Sequence, residues 1–197
     1  RTAKRYVHLR TMHTNPLCGI EEAGRGPLAG SLVIAGVVLK NPIEGLMDSK
    51  KLTEKKREAL YPLVIENSEY HIVSFSAHEV DKMGISKCLQ LGLQSIQKHL
   101  PEVDYLFDGN SSFGVENITT MVKADSKVPE VSAASILAKV THDREMIEMA
   151  KKYPEYGFEK HKGYGTKAHI EALLKYDRCE VHRKTFRVKG LDDPPLF

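Results

Sequence analysis

The sequence predicts an α/β protein built on a mixed β-sheet flanked by helices. Two features carry that expectation. Short β-branched apolar runs alternate along the chain with longer amphipathic stretches, and acidic residues stand at the ends of three of those runs.

In chain order, Leu17 to Ile20 and Ser31 to Leu39 read as strands, joined by the glycine-rich segment Ala23-Gly24-Arg25-Gly26-Pro27-Leu28-Ala29-Gly30. Thr53 can cap a charged amphipathic helix over Glu54 to Glu66, after which Tyr70 to Phe75 alternates like a strand. A helix is expected over Ser86 to His99. Val103 to Phe107 has the pattern of a short buried strand and runs into Asp108-Gly109-Asn110, and Ile118 to Val122 is another, ending near Asp125. A long helix spans Pro129 to about Tyr153, with Pro129 tolerated in its first turn. A last helix, Thr166 to Leu174, precedes a basic end. There is no internal repeat.

A chain of 197 residues fits one main domain and an appendage. The 41% hydrophobic content contains no apolar run near the roughly 18 residues that a membrane-spanning helix needs. Three cysteines, Cys18, Cys88 and Cys179, lack any paired spacing, which argues against a disulfide framework or zinc ribbon and for a reducing, cytoplasmic setting. Residues 1–15 carry Arg1, Lys4, Arg5 and Arg10 without an apolar core. They read as an N-terminal extension, an expression remnant or a truncated start. The formal charge is +3, but Lys160, Lys162, Lys167, Lys175, Arg178, Arg183, Lys184, Arg187 and Lys189 crowd the end. That end reads either as a phosphate-tracking surface or as a solvated helical face.

Gly24, Gly26 and Gly30 superficially suggest a dinucleotide fingerprint, but that motif must open a helix. The residues after Gly30 read as a strand instead, and Pro27 removes a backbone donor. The alternatives are a tight turn with an exposed Arg25, or a loop whose backbone approaches a ligand closely enough to read a ribose hydroxyl. Glu21 and Glu22 close an apolar strand, where alternation points one inward. With Asp108 and Asp125 also placed after apolar strands, convergence on divalent cations is the economical explanation, because lone buried carboxylates are costly to ionise. Oxygen ligands suit magnesium or manganese; Cys179 and His182 have no matching second pair, so zinc is disfavoured.

Together, Gly19-Ile20-Glu21-Glu22-Ala23-Gly24-Arg25-Gly26-Pro27-Leu28-Ala29-Gly30, Asp48-Ser49-Lys50-Lys51-Leu52, Asp108-Gly109-Asn110, Asp125-Ser126-Lys127-Val128-Pro129, Ser132-Ala133-Ala134-Ser135-Ile136 and His161-Lys162-Gly163-Tyr164 resemble ribonuclease HII, in the same order and from about Cys18 to the basic end. The resemblance implies a ribonuclease H-like catalytic domain over 16–154 and a small helical, basic substrate-binding region over 155–197. It implies endonucleolytic cleavage of the RNA strand of RNA–DNA hybrids, and cleavage 5′ of ribonucleotides embedded in duplex DNA. The products would bear 5′-phosphate and 3′-hydroxyl ends. Glu21, Glu22, Asp108 and Asp125 would bind two magnesium or manganese ions and carry the reaction. Gly24, Arg25 and Gly26 would contact the ribose 2′-hydroxyl, Tyr164 would stack on the neighbouring deoxyribose, and Ser49 and Lys50 would hold a backbone phosphate. The chain would act as a monomer on nucleic acid, away from membranes. One position departs from the family pattern: Glu21 stands where an aspartate is expected. The extra methylene extends the side chain by about 1.5 Å, enough to impair catalysis and leave a hybrid-binding module.

Overall fold

The computed structural model describes residues 15–46 and 51–193. Its centre is a five-stranded sheet of β1 (Leu17–Ala23), β2 (Leu32–Leu39), β3 (Ser68–Phe75), β4 (Asp104–Asp108) and β5 (Ile118–Met121). Their order is β3-β2-β1-β4-β5. β1, β2 and β3 pair antiparallel as consecutive segments, whereas β4 and β5 add parallel to β1, so the sheet is mixed. Parallel pairing needs a crossover of a dozen residues or more. Here β2, β3 and the helices α1 (Glu54–Glu66), α2 (Ala77–Met83) and α3 (Ile85–His99) lie between β1 and β4.

Each face of the sheet has its own layer. Cys18, Ile20, Ile34 and Phe107 meet Leu89, Leu93 and Ile96 of α3 in one core. Each such fully buried aliphatic side chain contributes about 1.5–3 kcal/mol of transfer free energy. The opposite face sets Val33, Ala35 and Val37 against the small residues Ala133, Ala134 and Ala138 of the long helix α4 (Pro129–Lys152) and Val64 of α1. Gly19 lets α4 come this close. A Cβ there would lie 2.2 Å from the carbonyl carbon of Glu130. Two short helices, α5 (Phe158–His161) and α6 (Lys167–Tyr176), pack with Ala29 and Met146 in a third apolar cluster.

Helix α1 begins and ends where expected, and Thr53 caps it by accepting from the Lys56 amide. Four differences have identifiable causes. β1 extends through Ala23 because β2 continues to pair with it, so Glu21 and Glu22 lie within the strand. β3 likewise starts earlier, at Ser68, opposite Leu39. Helix α2 is not expected from the sequence pattern because its seven residues carry little periodicity; its capping box of Ser76 and Glu79 is the one local signal for it. Helix α5, four residues long, is too short for any period to register. No helix among the described residues is long and apolar enough to cross a membrane.

Candidate active site

Strand register assembles the acids. Ile20 pairs with Phe107 in the parallel β1–β4 ladder, so the next step places Glu21 beside Asp108. Both are two residues from Gly19 and Leu106, which face α4, and alternation therefore sends both carboxylates to that face. Asp125 arrives from a 3-10 turn, Ala124–Ser126, that links β5 to α4. Lys123, in the left-handed conformation at φ 58°, bends the chain so that two backbone amides face Asp108. Lys123 N–H donates to Asp108 Oδ1 at 2.9 Å and Asp125 N–H to Oδ2 at 3.0 Å. Glu21, Asp108 and Asp125 each offer an oxygen within 4.8 Å of the others.

Glu22 is not in that set of three. It lies next along β1, its Oε1 3.2 Å from Arg25 Nη1, while its Oε2 is buried without a hydrogen-bond partner. Burial, then the neighbouring charges of Glu22 and Asp108, push the Glu21 carboxyl well above the usual carboxylate range. An acid whose folded pKa is raised supports folding while protonated, below its unfolded value near 4.5, and loses that support as pH rises. At neutral pH the bare cluster therefore costs stability. We expect Mn2+ at about a hundred times its Kd to raise the thermal midpoint at pH 7 by about 5–10 °C. Glu21→Gln should raise the metal-free midpoint and remove most of the cation's increment, as differential scanning fluorimetry can measure.

The glycine-rich segment forms the rim. Gly24 sits at φ +88°, and a Cβ there would lie 2.3 Å from Ser31 O and 2.9 Å from the buried His142 ring. Arg25 keeps its side chain about half exposed, paired with Glu22. Tyr164 stands opposite Gly26, 39% exposed, with its ring 4.0 Å from where a Gly26 Cβ would be. The expected cluster, loop and tyrosine thus occupy one neighbourhood. Ser49 and Lys50 lie outside the described residues.

The basic wall of this neighbourhood is not singled out by the sequence. Arg57, Ser135 and Lys139 join Glu21, Glu22, Ala23 and Tyr164 around an open recess of about 370 Å³. Lys139 Nζ lies 2.9 Å from Asp143 and 5.4 Å from the centre of the Tyr164 ring, a cation–π contact; Arg57 reaches Asp143 at 3.8 Å. Ser135, Lys139 and Asp143 recur every four residues on α4, a legible signal for one helical face.

Arg183 departs further from its sequence pattern. It reads as one more charge of the basic end, yet it is fully buried. Its guanidinium donates to the carbonyls of Gly24 at 2.5 Å, Arg25 at 3.1 Å and Gly30 at 3.1 Å, pinning the glycine-rich segment from behind. Burial brings its pKa down to about 10, leaving it charged at neutral pH. Arg178 is held by Asp192 and Lys162 by Glu54. The basic end is therefore partly scaffold; Lys160, Lys167, Lys175, Lys184, Arg187 and Lys189 remain exposed.

A mixed sheet carrying a carboxylate triad, beside a backbone-rich loop and a basic recess, defines a metal-dependent phosphodiesterase of the ribonuclease H-like class. The family is settled by likeness to known proteins. The ribonuclease HII family model matches residues 18–189. The ribonuclease HII of Sulfurovum sp. (strain NBC37-1) is 80% identical over 184 residues, 93% of this chain and 98% of that protein. That of Aliarcobacter butzleri (strain RM4018) is 54% identical over 90% of this chain and 93% of its own. Among solved structures, the PCNA:RNase HII complex from Archaeoglobus fulgidus matches with a TM-score of 0.78 at 26% identity, covering 91% of this chain and 98% of that one. The chain belongs to the ribonuclease HII family and is an endoribonuclease.

Proposed function

We propose that this protein hydrolyses the RNA strand of RNA–DNA hybrids and cuts 5′ of ribonucleotides embedded in duplex DNA, leaving 5′-phosphate and 3′-hydroxyl ends. The observation that carries the reading is the convergence of Glu21, Asp108 and Asp125 within 4.8 Å, next to a pinned glycine-rich loop and an exposed tyrosine.

The residues fit Mg2+ or Mn2+. The donors are all hard carboxylate oxygens, and Glu22 Oε2 is a buried acceptor still lacking a hydrogen bond. Glu21, Asp108, Asp125 and Glu22 would hold the ions, which when bound supply an activated water and neutralise the leaving oxygen. Gly24, Arg25 and Gly26 meet the ribose 2′-hydroxyl, the group that separates RNA from DNA. Arg183 has already engaged the carbonyls of Gly24 and Arg25, so the loop needs no reorganisation to bind. The Tyr164 ring packs on the adjoining sugar, where an apolar face suits a deoxyribose better than a hydroxylated one. Arg57 and Lys139 face the backbone phosphate nearest the cut, with Ser49 and Lys50 gripping another phosphate. The region from residue 155 onward, with its exposed lysines, takes up the flanking duplex.

A second reading, a hybrid-binding protein slowed in catalysis, is favoured by Glu21 alone. The side chain is one methylene longer than the family pattern, and misplacement near 1 Å can cost about a hundredfold. We expect Glu21→Asp to raise kcat by about ten- to a hundredfold without tightening substrate binding. The test is to label a duplex containing one ribonucleotide, incubate it in Mg2+ and separately in Mn2+ with both proteins, and identify the product ends. Cleavage 5′ of the ribonucleotide with a 5′-phosphate downstream is the expected result. A 2′,3′-cyclic phosphate product would exclude hydrolysis by water held at this cluster.

A further inference from the structure

Behind Tyr164 lies a second polar cluster, outside the acidic site. His169 and His182 are buried, Cys179 is half-buried, and Phe158 lies against both histidine rings. His169 Nδ1 is 2.9 Å from the Tyr164 carbonyl, His169 Nε2 is 2.9 Å from His182 Nε2, and His182 Nδ1 lies 3.0 Å from Cys179 N and 3.1 Å from its thiol sulfur.

Donor rules leave one solution. A carbonyl only accepts, so His169 Nδ1 carries a hydrogen and donates to Tyr164. In a neutral ring, His169 Nε2 is then bare and accepts from His182 Nε2–H. His182 Nδ1 is bare in turn and accepts from the Cys179 amide and thiol. Both rings must be neutral, since a second proton on either would set two N–H groups against each other at 2.9 Å or against the Cys179 amide at 3.0 Å. Burial drives both pKa values down to about 4, which keeps them so. His161 runs alongside, stacked on His169 with centroids 4.3 Å apart, and accepts the Gly163 amide at 3.2 Å. The carbonyl of Gly163 takes the Leu28 amide of the glycine-rich segment at 2.8 Å.

We propose that His169 and His182 form a relay of fixed tautomers that positions Tyr164 against the glycine-rich loop, making both histidines specificity-determining positioning residues for the junction. This rests on the reading that Tyr164 touches the sugar beside the ribonucleotide. Nothing in the relay touches substrate. It acts by fixing the Tyr164 peptide, so that the ring meets Gly26 without a search. Asparagine at 169 would place an amide N–H near the Nδ1 position and keep the bond to Tyr164, whereas leucine would fill the space and lose it.

The test is a double-mutant cycle in single-turnover cleavage of a DNA duplex carrying one ribonucleotide. His169→Leu should lower kcat/KM about tenfold, the worth of one buried hydrogen bond expressed at the site. His169→Asn should recover most of that loss. Adding His169→Leu to Tyr164→Ala should cost nothing further, because the histidine acts through the tyrosine. Independent, additive losses would overturn the relay, as would a silent His169→Leu beside an impaired Tyr164→Ala. A silent Tyr164→Ala would overturn the tyrosine reading itself and the relay with it. Long-range 1H–15N NMR of the unaltered protein gives a second readout that does not depend on variants folding. Nδ1–H at His169 and Nε2–H at His182, neutral through the ordinary histidine range, are expected; Nε2–H at His169 would refute the relay.

Discussion

Asp108→Asn is expected to lower cleavage by at least about a thousandfold, or roughly 4 kcal/mol of transition-state stabilisation, while leaving duplex binding within a few fold. The reason lies in both of its oxygens. Each already accepts a backbone N–H, from Lys123 and from Asp125, so the carboxylate is held in one orientation and shown to Glu21 and the rest of the cluster as negative charge. Asparagine removes that charge and turns one acceptor into an NH2 group facing an N–H, which leaves a donor unsatisfied at a cost of about 1–3 kcal/mol. Relief of repulsion with Glu21 works in the opposite direction. The thermal midpoint should therefore change little while activity vanishes. Duplex binding persists because phosphate contacts come from elsewhere, and it should weaken steeply with salt. Fluorescence anisotropy across a salt series, beside gel-based cleavage, separates the two effects. Equal loss of binding and cleavage would show that Asp108 serves the fold rather than the chemistry.

Arg183→Met should produce the largest loss of stability of any single change near the site. Methionine fills much of the volume but supplies none of the N–H groups that three carbonyls use, those of Gly24, Arg25 and Gly30. Leaving three buried carbonyls unpartnered, at about 1–3 kcal/mol each, costs at least about 3 kcal/mol, or roughly 6 °C or more in a chain of this size. Lysine should not rescue it, because a point ammonium cannot span three acceptors as a guanidinium fork does. The charges of Asp81 and Glu145 favour the ionised guanidinium against its burial, while its N–H groups are taken up by the three carbonyls. A second consequence separates this residue from ordinary core positions. With the loop released, residual activity measured well below the midpoint should lose its preference for a ribonucleotide over an all-DNA site. Thermal denaturation and matched-substrate kinetics check the two parts separately.

These two residues also mark how far the sequence can be read. Asp108 is legible as a candidate because an acid closing a short apolar run needs a reason to be there, and the order of motifs around it resembles one family. Its neighbour Glu21 is legible on the same ground. That the two lie side by side is not, since this depends on parallel pairing between β1 and β4, segments separated by β2, β3 and three helices. Helix α1 can be bounded from its cap and its charge pattern, which are local. Arg183 cannot be identified, because nothing in its neighbours separates a buried arginine from the exposed Lys184 beside it. Its burial comes from the bridge between Ala29 and His182 and from the Arg183 amide bound to Leu28, both of which are long-range. The same applies to Tyr164. Its motif places it in the family pattern, but the histidines behind it are ordinary residues until α6 and the segment after it are brought together in space.

In the proposed function, a 2′-hydroxyl read at Gly24, Arg25 and Gly26 directs the carboxylate cluster. Single-turnover cleavage of two duplexes identical except for one hydroxyl, a ribonucleotide in one and the matching deoxyribonucleotide in the other, tests this most directly. A single cut 5′ of the ribonucleotide and none in the all-DNA duplex is the expected result; comparable cutting of both would show that the 2′-hydroxyl does not direct cleavage.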